Sequence, residues 1–203
     1  MILRGRQLAE AICEKAGDRK DPLIVTPLPD LDKLKKSVDA SLDMRLGTWF
    51  AKKKARNRAL VDFYDPEMKP SDNLASIYYV PFGKDFILHP NNFVLAVTLE
   101  WIRLPSHLAA FVMGRSSWGR HGLIIETAPG VHPGFSGCLT LEMANVGDLP
   151  IRLRPGARIC QLYFHETNPL EKKQNSGRMI GRRQPFAPTI EPDEFERELE
   201  RPD

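Results

Sequence analysis

The stretch at residues 108–145, LAAFVMGRSSWGRHGLIIETAPGVHPGFSGCLTLEMAN, decides the fold. It opens on an apolar run at 108–113, breaks at Gly114 and resumes as a short apolar run at 123–126. A Pro/Gly-rich segment at 127–137 then leads into 138–144, where Cys138, Thr140 and Glu142 alternate with Leu139, Leu141 and Met143. Strict alternation is the period of a strand with two unlike faces, because successive side chains point to opposite sides of a sheet. One of these faces is core.

The same pattern recurs on both sides. Short apolar or alternating runs at 77–80, 86–88, 93–99, 151–153 and 158–164 are punctuated by Pro81, Gly83, Pro90, Pro105, Gly147, Pro150, Pro155 and Gly156. Many short strands at regular spacing predict a mainly-β sandwich or barrel-like fold. Only 116–122 interrupts it, as a short helix or turn between strands. Upstream, Leu8, Ala11, Ile12 and Lys15 form one stripe, which predicts a short N-terminal helix over about 4–16 with Gly17 as its stop. Pro22, Pro27 and Pro29 then deny a long regular element. Ala40, Leu42, Met44 and Leu46 alternate with polar residues as a half-buried strand ended by Gly47. Residues 51–76 read as a charged excursion from the core. The expected organisation is one domain over 1–168 and an irregular C-terminal arm over 169–203, either mobile or ordered by binding.

The 203 residues are 42% hydrophobic, enough for a core. No apolar run reaches the roughly 18 residues that a membrane-spanning helix needs, and the charges spaced through the N-terminus do not resemble a signal peptide. Three widely spaced cysteines, Cys13, Cys138 and Cys160, suit buried thiols in a reducing cytoplasm better than a disulfide framework. The net charge of +3 is too small to imply nucleic acid. A basic run at 52–58 and an acidic stretch at 191–203 read as solvated surface or tail. No CxxC, HExxH or Walker-type loop is present. Neither half of the zinc deaminase signature, H-x-E and P-C-x-x-C, occurs, and the histidines His89, His107, His121, His132 and His165 are not spaced to share a metal.

Two segments carry chemistry. In GRSSWGRHG at 114–122, a strand ends at a glycine and Arg115, Ser116, Ser117 and Arg120 follow within a turn or two. Guanidinium forks, hydroxyls and free backbone N–H groups together suit a phosphate; a helix cap with two surface arginines accounts for the same residues. In the strand at 138–145, a mid-strand Glu142 among apolar neighbours is either an ordinary solvent-side glutamate or a general base, with Arg120 or Ser116 as partners and Thr140 beside it.

Taken in order and spacing, GRSSWGRHGL, TAPGVHPGFSG, LTLEMANVG and LPIRLRPGARICQLYF resemble the dCTP deaminase branch of the dUTPase-like superfamily. VDASLDMRLG at 38–47 and HPNNFVLAVTLEWIRLP at 89–105 are similar to its upstream segments. The resemblance implies a β-clip, or distorted jelly roll, assembled as a homotrimer with shared sites. It also implies a Mg²⁺–triphosphate substrate and no zinc. By the same resemblance, Arg115, Ser116, Ser117 and Arg120 match the phosphate-and-water motif. Glu142 matches the glutamate that activates water against C4 of cytosine. Thr127 and Ala128 match the backbone beside the base.

Two departures stand out. His132 occupies the hairpin position where both branches carry an aspartate near the sugar, and a neutral imidazole is a much weaker acceptor and base than a carboxylate. The arm offers Gln184 for the family glutamine, but no tyrosine lies beyond Tyr163, and Arg178, Arg182 and Arg183 replace the expected lysine as positive charge. The expected activity is zinc-free dCTP deamination to dUTP and ammonia. A bifunctional deaminase–diphosphatase giving dUMP, a dUTPase, and a nucleotide-binding regulatory protein with altered chemistry are the alternatives.

Overall fold

A computed structural model describes residues 1–13, 21–53, 75–125, 129–168 and 181–185. Within them lie α1 (Gly5–Cys13), β1 (Ile24–Thr26), α2 (Leu31–Lys36), β2 (Leu42–Lys53), β3 (Ala75–Tyr79), β4 (Phe86–Leu88) and β5 (Phe93–Arg103). There follow β6 (Leu108–Gly114), α3 (Ser116–Gly119), β7 (Leu123–Ile125), β8 (Gly130–Val131), β9 (Ser136–Asn145), β10 (Ile151–Leu153) and β11 (Arg158–Glu166).

The alternation that opened the sequence reading becomes β9. Leu139, Leu141 and Met143 are buried in the core, whereas Cys138, Thr140 and Glu142 on the other face are half-buried. Through its length β9 pairs antiparallel with β5, from Phe93 opposite Ala144 to Arg103 opposite Ser136. Its other edge takes β7, with Leu123 opposite Asn145 and Ile125 opposite Met143. The main sheet runs β7-β9-β5-β2-β11-β6-β8, with β1 added to β5 and β3 to β2, and β4 pairs with β10 apart from it. Its two ends curl towards each other, for a Cβ placed on Gly114 of β6 would lie 3.5 Å from Ile125 of β7. The result is the expected mainly-β distorted jelly roll of the β-clip kind.

Two sequence expectations change. The strand expected to stop at Gly47 continues to Lys53. Gly47 is a close approach rather than a stop: a Cβ there would sit 2.9 Å from the carbonyl oxygen of Val97, and the β2–β5 register shifts between Leu46 and Phe50. A glycine at a bulge lets two backbones come together where a side chain would hold them apart. Pro22, Pro27 and Pro29 are followed by no long element, as expected, only by the six-residue α2, whose first turn is closed by Asp30, its carboxylate accepting the Lys33 N–H at 3.0 Å. Finally, β5 runs to Arg103, beyond the apolar run that marks it in sequence. Most of the expected excursion at 51–76, the basic residues from Lys54 onward and the acidic stretch at 191–203 lie outside the described residues.

One buried polar residue ties the loops to this frame. Asn145, fully buried at the end of β9, donates to the carbonyls of Leu88 and Leu149 at 2.9 Å each and accepts the Gly147 N–H at 3.0 Å. Truncating it strands partners that water cannot easily reach, at about 1–3 kcal/mol. Asn145→Ala is therefore expected to lower the urea midpoint by a corresponding amount with the m-value unchanged; an unaltered midpoint would show that these three bonds contribute nothing net.

Candidate active site

The candidate residues occupy two segments joined by β7. Ser116 and Ser117 open the single turn of α3, Arg115 stands at its N-cap and Arg120 at its C-cap, where the Arg120 N–H bonds the Ser116 carbonyl at 3.0 Å. Ser116, Ser117 and Arg120 are exposed, and Arg115 is half-buried. Arg115 makes no side-chain cap; its guanidinium pairs instead with Asp43 of β2. Trp118 donates its indole N–H to the Arg158 carbonyl at 2.8 Å, which fastens the turn to β11. The turn is thus a cluster of positive charge and hydroxyl donors on a fixed base.

Glu142 and Thr140 project from β9 on the face away from the core. The turn reaches this strand through β7. Gly114 abuts Ile125, Ile125 pairs with Met143, and Met143 neighbours Glu142. The Val146 N–H bonds the Gly122 carbonyl at 2.9 Å, closing the same connection at its other end. Gly122 has φ +86°, and a Cβ there would be 2.6 Å from the Gly147 nitrogen, so this junction needs a glycine twice over.

The hairpin between β8 and β9 is a tight turn. The Phe135 N–H bonds the His132 carbonyl at 3.1 Å, with Pro133 next and Gly134 at φ +81°, the arrangement of a type II turn. The turn is tied to the β5–β6 connection, since the Leu104 N–H bonds the Phe135 carbonyl at 2.8 Å. His132 is exposed at its first position. Thr127 and Ala128 lie outside the described residues.

The arm contributes residues 181–185. The Cys138 N–H donates to the Arg182 carbonyl at 3.0 Å and the Gly181 N–H to the Ser136 carbonyl at 2.6 Å. This short piece therefore lies along β9 on the edge that β7 occupies further on, with Pro185 buried and Arg182, Arg183 and Gln184 exposed. Arg183 is close enough to Cys138 to oppose, by its charge, the upward push that burial gives that thiol.

Sequence reading passed over Glu100. It is only 2% exposed, and it holds Arg45 twice: Oε2 accepts the Arg45 backbone N–H at 2.7 Å and Oε1 accepts Nη1 at 2.9 Å. Nearby, Thr98 donates to the Glu100 carbonyl and accepts the Leu139 N–H, both at 2.9 Å, so its hydroxyl bridges the β5 bulge to β9. A mid-strand carboxylate was the signal at Glu142, and the same signal stood at Glu100 within FVLAVTLEWIR. Pattern alone did not separate a buried carboxylate, Glu100, from a half-buried one, Glu142.

Residues 2–167 match the dCTP deaminase-like family. The dUMP-forming dCTP deaminase of Dictyoglomus turgidum is 41% identical over 173 residues, covering 84% of either chain. That of Methanobrevibacter smithii is 42% identical over 151 residues, covering 73% of this chain and 75% of the relative. The dCTP deaminase of Halorubrum lacusprofundi is 37% identical over 174 residues, 85% of this chain and 81% of its own. Among solved structures, 2'-deoxycytidine 5'-triphosphate deaminase from Agrobacterium tumefaciens aligns with a TM-score of 0.56 at 22% identity, over 82% of this chain and 48% of that one. This chain spans about half the length of that protein, and the likeness bears on the fold alone.

Cys160 is fully buried, and burial first, then the charges of Glu100 and Asp43, push its thiol up to about 12. Because its ordinary value is 9.0, the folded chain binds this proton more tightly than the unfolded one. The resulting stability is complete below pH 9 and is lost as pH rises towards 12. Between pH 8 and pH 10 the wild type is expected to lose about 1 kcal/mol more unfolding free energy than Cys160→Val. Parallel losses in urea titrations of the two proteins would contradict this.

Proposed function

The chain belongs to the dCTP deaminase-like family, and on that premise we propose that it removes the 4-amino group of dCTP by hydrolysis. The observation that carries the reading is Glu142, half-buried on β9 beside Thr140, with its sequence neighbours Leu141 and Met143 locked in the core. A carboxylate so placed is held at a fixed height above the sheet and is still within reach of a ligand.

Glu142 takes a proton from water held between it and the Ser116 hydroxyl. The water oxygen bonds to C4 of cytosine. Glu142 passes this proton to N3 as the C4–O bond forms; the remaining proton, on the new C4 hydroxyl, then moves to the amino nitrogen, the C4–N bond breaks, and ammonia leaves a uracil with a C4 carbonyl and an N3–H. Arg120 favours the ionised form of Glu142 by its charge. Arg115, Ser117 and Arg182 bind phosphate oxygens, Gln184 and Thr140 contact the substrate, and Thr127 and Ala128, outside the described residues, are assigned to the base by family resemblance alone. His132 faces the sugar.

A Mg²⁺ ion arriving on the triphosphate would neutralise part of its charge. The donor set suits an ion carried by substrate, because Arg115, Ser116, Ser117 and Arg120 offer positive charge and hydroxyls rather than a carboxylate cage. Among the described residues no three His, Cys, Asp or Glu side chains converge as metal ligands, and the mechanism assigns no step to zinc. Exposed Phe111 and Met113 on β6 support burial of that strand between copies in a homotrimer. No helix among the described residues is long and apolar enough to cross a membrane, and a cytoplasmic setting suits the free thiols of Cys138 and Cys160.

A second reading has its own support. The Dictyoglomus and Methanobrevibacter relatives are named as dUMP-forming, and on this second reading the chain also releases pyrophosphate, so that dCTP ends as dUMP. Incubation with Mg²⁺ and dCTP, and separately with dUTP, distinguishes them when ammonia and pyrophosphate are followed independently. Ammonia from dCTP is expected in either case; pyrophosphate from both substrates identifies the second. Nucleotide binding with neither product would contradict both. Glu142→Gln is expected to lower ammonia release roughly 10²–10⁴-fold while nucleotide still binds, and full retained activity would remove Glu142 from its role.

A further inference from the structure

Arg115 is held by a carboxylate that the proposed mechanism does not use. Asp43 on β2 accepts from Arg115 Nη1 through Oδ1, and the same oxygen accepts from Gln161 Nε2 of β11 at 3.1 Å. Its other oxygen faces Arg158 Nη1 at 3.4 Å. Gln161 lies opposite Asp43 on one side and opposite Met113 of β6 on the other, so β11 is the strand across which β2 reaches the turn. The Arg115 backbone N–H meets the Ile159 carbonyl at 3.3 Å on that same strand.

From this geometry we infer that Asp43 is a positioning residue for triphosphate binding, setting the guanidinium of Arg115 so that its remaining donors face the phosphates. The inference rests on the reading of Arg115 as a phosphate ligand. A guanidinium carries five N–H donors in a rigid fork, and one edge can be held by a carboxylate while another meets an anion. Two effects oppose each other when Asp43 is neutralised. Loss of a negative charge near the phosphates favours an anion. But Arg115 and Arg158 share this one carboxylate, and without its charge two guanidiniums face each other across a neutral group. Asp43 and Arg115 side chains are about one-third exposed, at 31% and 29%, and Arg158 about half, at 52%, so solvent screens that repulsion only in part. Displacement of Arg115 outweighs the charge gain, and binding weakens.

The test uses the full chain and a probe that needs no turnover: Mg²⁺–tripolyphosphate, titrated calorimetrically into wild type, Asp43→Asn, Arg115→Ala and the double variant, with the melting temperature of each recorded. Asp43→Asn is expected to bind roughly five- to tenfold more weakly, and to add little to the loss already caused by Arg115→Ala, because it acts through that side chain. Steady-state kinetics with dCTP should show the same loss in KM, with kcat changed less than twofold. Equal or tighter binding by Asp43→Asn, additive losses in the double variant, a lower melting temperature with unchanged affinity, or no binding of the probe by wild type would each overturn the inference. Absence of ammonia from dCTP with wild type would instead count against the deaminase reading, and the tripolyphosphate cycle would still decide the role of Asp43.

Discussion

Everything at the candidate site depends on the parity of β9. Leu139, Leu141 and Met143 occupy the core, and the intervening residues carry Cys138, Thr140 and Glu142 to the other face. A slip of one residue against β5 would exchange the faces. It would expose three apolar side chains worth roughly 1.5–3 kcal/mol each and drive the Glu142 carboxylate into the core at still greater cost. The register is pinned at both ends, by the Thr98 hydroxyl on the Leu139 N–H and by Asn145. The face on which Glu142 stands is thus set by hydrophobic burial along several residues of β9.

The same strand gathers the other parts. β7 ties the α3 turn to the Asn145 end of β9, and residues 181–182 lie along the Ser136–Cys138 end. The turn is fastened separately to β2 and β11 through Asp43, Gln161 and Arg158. Arg115 and Arg120 stand at the two ends of the α3 turn, Arg182 and Arg183 on the arm beside β9, and two of the neighbouring carboxylates each hold an arginine. Glu100 holds Arg45 from a buried position, and Asp43 holds Arg115. His132, by contrast, sits at the mouth of a tight turn whose shape comes from Pro133 and Gly134, so the hairpin would form with many residues in its place.

The strands were largely legible in sequence because each buries one face or both, and burial writes a period of two or an apolar run. β4 and β10 coincide with their apolar runs, and β9 with its alternation. The misreadings have one physical source. Gly47 and the end of β5 depend on tertiary neighbours: Val97 and Thr98 approach Gly47 closely, and β5 continues to Arg103 by pairing with β1 and β9, neither of which leaves a local mark. The site divided in the same way. Arg115, Ser116, Ser117 and Glu142 were visible as residue types at suggestive places. The Asp43–Arg115 and Glu100–Arg45 pairs span 72 and 55 residues of chain, and separations of that length cannot be read from spacing.

The central claim is that the β9 face and the 115–120 turn form one nucleotide site. Its most direct test is a crystal structure of Glu142→Gln with dCTP and Mg²⁺. The account predicts cytosine C4 beside the side chain at position 142 and the triphosphate on Arg115, Ser116 and Ser117, whether that turn belongs to the same copy or to another. A nucleotide bound with its base away from β9, or with its phosphates clear of every copy of the turn, would contradict it.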